Sequence, residues 1–418
     1  MDISRDEALA MDRDDALAAG RHMFDLPEGV IYLDGNSLGA LPRATLPRLQ
    51  RVVGEEWGRG LIGSWNDAHW ASLPERVGDK IGRLVGAAPG ELVVADSTSI
   101  NAYKALGAAL GLALAANPAR RVILSERHNF PTDLYIAESL ARSHGCELVL
   151  AEDHAQIAGR LDEGKVAVLM LTHVNYRTGR MHDMAELNRR AHAQGSLVLW
   201  DLAHSAGAVP VDLNGDDADF AVGCGYKYLN GGPGAPAFVW AHRRHAAHCV
   251  QPLSGWFGHA APFAFTTAYE PAEGSKRFLC GTPAVLSMAA LECGVDTLLA
   301  AGGMQALRRK SLALSRLFIE LVDAHCGGHG LTLVTPREDA LRGSQVCFAH
   351  PDGAYPIMQA LIAHGVIGDF RAPDILRFGF TPLYTGFADV RDAVQILAGI
   401  LDSGEWRKPC HALRRVVT

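Results

Sequence analysis

One lysine in the sequence has surroundings that suggest covalent chemistry. Lys227 stands between two tyrosines in GCGYKYLNGGPGAPAF (223–238), after an apolar run and before a glycine-rich loop. Burial disfavours the charged form of a lysine, and a neutral amine can condense with an aldehyde. None of the other six lysines has this setting. Taken alone, however, a lysine that extends its charged end into water explains the position as well.

A carboxylate ends another apolar run. Asp201 closes the strand-like part of LVLWDLAHSAG (197–207), so its side chain should be partly buried and should need a cationic partner. A protonated pyridine nitrogen is one such partner. Capping of the following turn is an equally good explanation of Asp201 on its own.

Further polar and aromatic residues follow other apolar runs. Thr98 and Ser99 begin a helical stretch, where free amides favour a phosphate, although simple helix capping is common there. Phe130 in HNFPTD (128–133) could stack on a flat cofactor or close a loop in the core. Thr172 and His204 also follow strand-like runs. An amine, an acid, hydroxyls and a ring at one sheet edge together predict pyridoxal phosphate (PLP) as an electron sink.

The elements that must position these residues are seven short apolar runs, separated in several places by helical patterns. This alternation predicts an α/β fold with a mainly parallel sheet covered by helices on both faces. After about residue 300, two long helical patterns and two strand patterns predict a smaller α+β domain. The runs lie at 91–96, 121–126, 146–152, 166–175, 196–204, 218–227 and 235–241.

Composition excludes several classes of protein. The length of 418 residues predicts two domains, and a composition of 48% hydrophobic and 20% charged residues is that of a globular protein. A net charge of −7 gives no basic surface for nucleic acid. The first twenty residues lack the apolar core of a signal peptide, and the apolar stretch 105–116 is too short to span a membrane.

Cysteine and histidine patterns argue against a metal site. The eight cysteines form no C-x-x-C pair, which is typical of a protein from a reducing cytoplasm without structural zinc. His242, His245 and His248 have helical spacing, but the two arginines between them favour a solvated helix face.

Six motifs in order along the chain resemble the kynureninase family, which belongs to the fold-type-I, class V group of PLP-dependent enzymes. YKYLNGGPG followed by GWFGH is the most specific combination. The motifs are LDGNSLG (33–39), HNFPTD (128–133), LWDLAHSAG (199–207), GCGYKYLNGGPGAPAF (223–238), SGWFGH (254–259) and LRFGFTPLY (376–384).

The resemblance implies a role for each matching residue. Lys227 would bind PLP covalently, Asp201 would pair with its ring nitrogen, and Tyr226 would carry a proton. Arg377 would clamp the substrate carboxylate, with weaker candidates for the substrate pocket at Trp65, Asn36 and Ser37. The remaining cofactor contacts would be Thr98, Ser99, Phe130, Pro131, Thr132, Asp133, Thr172 and His204, with Trp256 and Thr282 contributed by the partner subunit.

The resemblance also implies a fold, an assembly and an activity. It implies a large domain with a seven-stranded sheet at 61–295, a small domain at 296–418, and an N-terminal arm at 1–60 that joins the small domain. A cytoplasmic homodimer with shared active sites would hydrolyse L-kynurenine to anthranilate and L-alanine, in tryptophan catabolism and NAD biosynthesis. 3-Hydroxykynurenine is a possible second substrate, and a cysteine desulfurase or an aminotransferase is the alternative.

Overall fold

The computed structural model describes residues 3–414. Residues 3–72 form short helices and strands, and the first helix of more than ten residues begins at Leu73. Helix α1 starts with a capping box in which Ser4 and Glu7 exchange hydrogen bonds with each other's backbone amides. The elements are α1 (Arg5–Arg13), β1 (Phe24–Asp25), β2 (Ile31–Tyr32), β3 (Leu41–Pro42), α2 (Thr45–Arg51), a π-helical turn (Val52–Trp57), α3 (Ser64–Asp67) and α4 (Leu73–Val85).

A seven-stranded sheet forms the centre of the molecule and confirms the predicted sheet. All its strands run in one direction except the last in sequence, which is antiparallel to both of its neighbours. The strands are β4 (Leu92–Val94), β5 (Val122–Glu126), β6 (Glu147–Ala151), β7 (Val166–Thr172), β8 (Leu197–Asp201), β9 (Phe220–Gly223) and β10 (Phe238–Ala241), in the spatial order β4-β10-β9-β8-β7-β5-β6.

Burial on both faces explains why these strands are continuous apolar runs. Along β8, Val198 and Trp200 pack into the core on one face, while Leu199 packs into the core on the other. The sixth run was predicted to reach residue 227, but β9 ends at Gly223. Lys227 therefore lies in the loop after the strand.

Helices connect and cover the strands. They are α5 (Thr98–Ala116), α6 (Pro131–His144), α7 (His154–Asp162), α8 (Met184–Ala193), α9 (Arg243–Ala246) and α10 (Val285–Leu299). Helix α5 has 19 residues, longer than the apolar stretch that defined it in the sequence, and its length and composition would suffice to cross a membrane. It packs against β7, β8 and β9, which is the position of a core helix.

The C-terminal part contains a second, four-stranded antiparallel sheet with helices against it. The spatial order of its strands is β11-β12-β15-β14. Buried side chains of α11, α12 and α13 form one hydrophobic core with those of the sheet. N-terminal α1 contacts α13, and β2 pairs with β13. The elements are α11 (Met304–His325), β11 (Thr332–Leu333), β12 (Gln345–Ala349), α12 (Ala354–Ala363), β13 (Val366–Ile367), β14 (Asp369–Arg371), β15 (Ile375–Gly379), α13 (Phe387–Ser403) and α14 (Pro409–Ala412).

The histidines after β10 form a solvated face only in part, because His248 is exposed whereas His242 and His245 are half-buried. The ring of His245 stacks on Phe220, and its Nε2 lies 2.7 Å from a carboxylate oxygen of the buried Asp219. His242 accepts a hydrogen bond from the amide of Arg244 and so caps α9. Within residues 3–414, no group of three His, Cys, Asp or Glu side chains is arranged to hold a metal ion.

Candidate active site

A cavity of about 120 Å³ lies beyond the carboxyl ends of the parallel strands. Thr172 is the last residue of β7 and Asp201 the last of β8, and the two are register partners on neighbouring strands. The sheet therefore brings polar residues from distant parts of the chain to one edge. The cavity is lined by ten of the predicted residues: Thr98, Ser99, Phe130, Thr132, Asp133, Thr172, Asp201, His204, Tyr226 and Lys227.

The amine of Lys227 has a histidine as its nearest polar partner. Its Nζ lies 3.1 Å from Nε2 of His204, which is buried. Burial and then the charge of Lys227 lower the pKa of His204 well below its ordinary value, so the imidazole is neutral. A neutral imidazole can accept a hydrogen bond from the lysine and orient it toward the cavity.

Two buried carboxyl groups, those of Asp133 and Asp201, lie against each other beside the lysine. One oxygen of Asp201 accepts a hydrogen bond from the amide of Ala203 at 2.8 Å, so the side chain does stabilise the local turn. Burial raises the pKa of both acids, and the neighbouring Asp201 raises that of Asp133 further. Like charges this close cannot both ionise, and the nearby charge of Lys227 lowers both pKa values without cancelling the rise, so a further cation would stabilise the pair.

A line of hydrogen bonds extends from this pair into the sheet. The hydroxyl of Thr172 lies 3.4 Å from a carboxylate oxygen of Asp133 and donates to the side-chain oxygen of Asn129. Asn129 donates to Ser125, which in turn donates to the carbonyl of Met170 on β7. These contacts hold the acid in one orientation against the strand.

The amino end of α5 forms another wall of the cavity. Ser97 is the N-cap and accepts a hydrogen bond from the amide of Ile100, so the capping role belongs to Ser97 and not to Thr98 or Ser99. Thr98 and Ser99 occupy the first turn, where unpaired amides and the helix dipole favour an anion.

Phe130 is not a core residue. It is 42% exposed, precedes α6, and packs edge-to-face against Tyr176 with the ring centroids 5.3 Å apart. The Nζ of Lys227 lies 6.0 Å from the centroid of its ring. Pro131 begins α6 directly after this ring, where its fixed φ suits the first helical position.

Arg377 is buried and held by a network of its own. Its Nε donates to Asp369 at 2.8 Å, its Nη1 to the carbonyl of Tyr176 at 2.6 Å, and its Nη2 to the hydroxyl of Ser37 at 2.9 Å. Ser37 thus contacts Arg377 directly, and the substrate-binding role of both residues stays a prediction. Asn36 is fully buried next to Gly379 on β15.

Seven of the predicted residues do not line the lysine cavity of their own chain: Pro131, the group of Asn36, Ser37 and Arg377, and also Trp65, Trp256 and Thr282. Trp65 and Trp256 pack against each other with ring centroids 6.4 Å apart, and Phe263 packs against both. Thr282 lines an adjoining cavity of about 490 Å³ together with Thr98 and Tyr226. The assignment of Trp256 and Thr282 to a partner's site stays a prediction.

Sequence reasoning assigned no role to Asn129, Tyr176, Asp369 or Arg371. Asn129 lies inside the HNFPTD motif, and Tyr176 follows β7, so position after a strand could have indicated both. Asp369 and Arg371 lie on a three-residue strand with only one apolar member, which no periodicity marks.

The donor set fits PLP. The acid pair Asp133 and Asp201 needs a cation, which a protonated ring nitrogen supplies, and the α5 amino end suits a phosphate. The exposed face of Phe130 can cover a flat ring, and Lys227 reaches the same cavity with a primary amine.

Comparison of the chain with known proteins agrees with this arrangement. The family model described as the kynureninase C-terminal domain matches residues 307–397. The kynureninases of Burkholderia pseudomallei (strain 1106a) and Burkholderia mallei (strain SAVP1) are each 58% identical over 417 residues, and that of Pseudomonas fluorescens is 56% identical. Each alignment covers 99% of this chain and 100% of the relative.

Solved structures share the fold at low sequence identity. The apo cysteine desulfurase of Thermococcus onnurineus NA1 is 19% identical with a TM-score of 0.77, covering 92% of this chain and 98% of its own. A C-DES variant with glycine covalently linked to its PLP cofactor is 18% identical with a TM-score of 0.78, covering 90% and 98%. The fold and the site together define a PLP-dependent enzyme of fold type I. The full-length relatives narrow the class further, and the chain belongs to the kynureninase family.

Proposed function

We propose that this protein hydrolyses L-kynurenine to anthranilate and L-alanine by breaking the Cβ–Cγ bond. One observation carries the proposal: Lys227, His204 and the acid pair Asp133 and Asp201 line one cavity at the strand ends, in a chain of this family. In the overall reaction, the carbonyl carbon takes the hydroxyl of water and becomes the carboxyl group of anthranilate. Cβ takes a proton and becomes the methyl group of alanine.

Each side chain has a specific task in this proposal. When bound, PLP supplies an aldehyde for covalent attachment and a ring that accepts electrons. Lys227 holds the cofactor and moves the proton of the substrate's Cα. Asp201 keeps a proton on the ring nitrogen, and Asp133 supports it. Phe130 covers the ring, while Thr98 and Ser99 bind the phosphate.

Tyr226 is the proposed proton donor. Its ring centroid lies 5.7 Å from the Nζ of Lys227, and the side chain lines the same cavity. Burial, followed by the neighbouring Cys224, raises the pKa of the Tyr226 phenol above its ordinary value. The phenol is therefore neutral at physiological pH and has a proton to donate.

The assembly is proposed to be a homodimer in the cytoplasm with shared active sites. Exposed apolar side chains at Trp57, Leu61 and Ile62 support an interface near α2. An apolar groove of about 830 Å³ between α2, β3 and α10 supports it too. Domain boundaries are proposed near residues 60 and 295. The packing supports the second, because α10 packs on α4 whereas α11 packs on α13. A mass in solution near twice 44.8 kDa would agree with the dimer.

The alternative activities can be tested in the same preparation. A desulfurase needs an accessible nucleophilic cysteine; Cys347 is fully buried in β12, but the half-buried Cys280 lines the cavity that contains Thr98. The PLP-loaded protein should release fluorescent anthranilate from L-kynurenine without an added keto acid. A desulfurase would instead be established by three results together. Wild type would release sulfide from L-cysteine, the Cys280→Ser variant would not, and neither L-kynurenine nor 3-hydroxykynurenine would react.

A further inference from the structure

Arg377 has little hydrogen-bonding capacity left for a substrate. A guanidinium has five N–H groups. Its Nε and Nη2 form a two-point fork on the carboxylate of Asp369, the cross-strand partner of Arg377 on β14. One further N–H of Nη2 binds Ser37, and one of Nη1 binds the carbonyl of Tyr176. Four of the five N–H groups are thus engaged.

This geometry limits what Arg377 can do alone. A carboxylate is bound most strongly by two parallel N–H groups of one guanidinium. In Arg377 the two parallel N–H groups bind the carboxylate of Asp369. Separating this buried ion pair would cost a large free energy. Arg377 can therefore offer one N–H to a substrate carboxylate, and a second donor is required for tight binding.

Arg371 lies where that second donor is needed. It follows Asp369 by two positions on β14, so both side chains point to the same face of the strand. Its Nη2 lies 2.7 Å from Asp369 and 3.4 Å from the hydroxyl of Ser37, so it shares both partners with Arg377.

The rest of the Arg371 side chain is available. The side chain is 39% exposed, and among residues 3–414 its Nε and Nη1 groups have no hydrogen-bond partner. Its charge also acts on the cofactor cavity. Burial is the largest influence on the pKa of two residues there: it raises the pKa of Tyr226 and lowers the pKa of His204. The positive charge of Arg371 lowers the pKa of both residues.

Asp34 is the acid that opposes anion binding here. Burial and the nearby Asp369 raise its pKa to about 7, so its negative charge is reduced at physiological pH. With Asp369 already neutralised by Arg377, Arg371 supplies the net positive charge of this corner.

We propose that Arg371 is a second substrate-binding residue, which donates to the α-carboxylate of the amino-acid substrate beside the last free N–H group of Arg377. The inference rests on the proposed function for the identity of the substrate. In this proposal Arg371 contributes to binding of the substrate carboxylate, whereas PLP is bound by the residues of the lysine cavity.

The test compares two ligands that differ only in this group. L-Alanine and L-alaninamide are titrated into the PLP-loaded wild type, Arg371→Gln, Arg371→Lys and the control Arg337→Gln, and binding is read from the visible absorbance of the cofactor. Arg337 is a suitable control because it pairs with Asp323 at the surface. The Arg371→Gln change should raise the dissociation constant of L-alanine by about 10- to 100-fold, because this is the usual effect of losing a hydrogen bond to a charged group.

L-Alaninamide binding should change little in Arg371→Gln, and Arg371→Lys should recover part of the L-alanine affinity. Equal weakening of both ligands would show a structural role, and unchanged L-alanine affinity would show no role. Either result overturns the inference. These titrations need no bond cleavage, so they test the role of Arg371 even if wild type fails to release anthranilate. That failure would count against the proposed function alone.

Discussion

The Nζ atom of Lys227 lies 3.1 Å from the Nε2 atom of His204. The two residues come from loops that follow neighbouring parallel strands, β9 and β8. Because His204 is buried and neutral, it orients the amine without adding a second positive charge. This contact links the strand order of the sheet to the position of the reactive group.

The His204→Phe change keeps a ring of similar size and removes the hydrogen-bond acceptor. Turnover should fall by about three- to tenfold, because one hydrogen bond of ordinary strength is lost from the residue that moves the proton. The visible absorbance of bound PLP should remain. Half-buried His329, which pairs with Asp402, is substituted in the same way as the control. Equal turnover in His204→Phe and wild type would remove this role.

The Asp201→Asn change should affect stability and activity in opposite directions. Burial raises the pKa of Asp133 and Asp201, so the cofactor-free wild type is favoured at low pH and loses stability as the pH rises above about 4. The variant should be more stable at pH 7 by on the order of 1 kcal/mol.

Turnover of the same variant should fall by about 100-fold or more, because an amide cannot keep a proton on the ring nitrogen. Denaturant unfolding at pH 4 and pH 7 measures the first effect, and steady-state kinetics the second. A variant less stable than wild type at pH 7 would contradict the repulsion between Asp133 and Asp201.

The Asp369→Asn change should destabilise the protein. Asp369 is the shared counterion of Arg377 and Arg371, and its loss leaves the buried Arg377 without its ion-pair partner. The free energy of unfolding should fall by about 3–5 kcal/mol, as for other buried pairs that lose one partner. Asp374→Asn, which removes the half-exposed partner of Arg177, should cost far less in the same denaturation experiment.

Asp219 should control acid stability at the opposite end of the sheet. Burial alone would raise its pKa, but hydrogen bonds from His192, His245 and Arg244 and the charge of His192 lower it well below the ordinary range. A depressed pKa means that this stabilisation is present above about pH 4 and is lost as the pH falls further.

The Asp219→Asn change should therefore reduce the free energy of unfolding by about 3 kcal/mol at pH 7 and by progressively less as the pH falls below about 4. Asp162→Asn, at an exposed pair with Arg190, is the control. A gap between Asp219→Asn and wild type that does not narrow with acidification would contradict the assigned cause.

The sequence was sufficient for the sheet because its strands are buried on both faces and appear as continuous apolar runs. Strand ends were less certain: the run through Cys224 and Gly225 stays nonpolar after the hydrogen-bonded strand has stopped at Gly223. The strand-end rule brought Thr172, Asp201 and Lys227 to one edge without knowledge of the tertiary structure.

The substrate side of the site depends on contacts that no local pattern encodes. Asp369 meets Arg377 only because β14 and β15 pair in one particular register. Trp65 meets Trp256 through tertiary packing across 191 positions of the chain (256 − 65). Such pairs follow from how the elements pack, and a single sequence carries no signal for them.

The most direct test of the central claim measures anthranilate release from L-kynurenine by PLP-loaded wild type, Lys227→Ala and the surface control Lys408→Ala. Wild type and control should release anthranilate at equal rates and show the same visible absorbance of lysine-bound cofactor. Lys227→Ala should show neither the activity nor that absorbance. Steady turnover and an unchanged absorbance in Lys227→Ala would contradict the account.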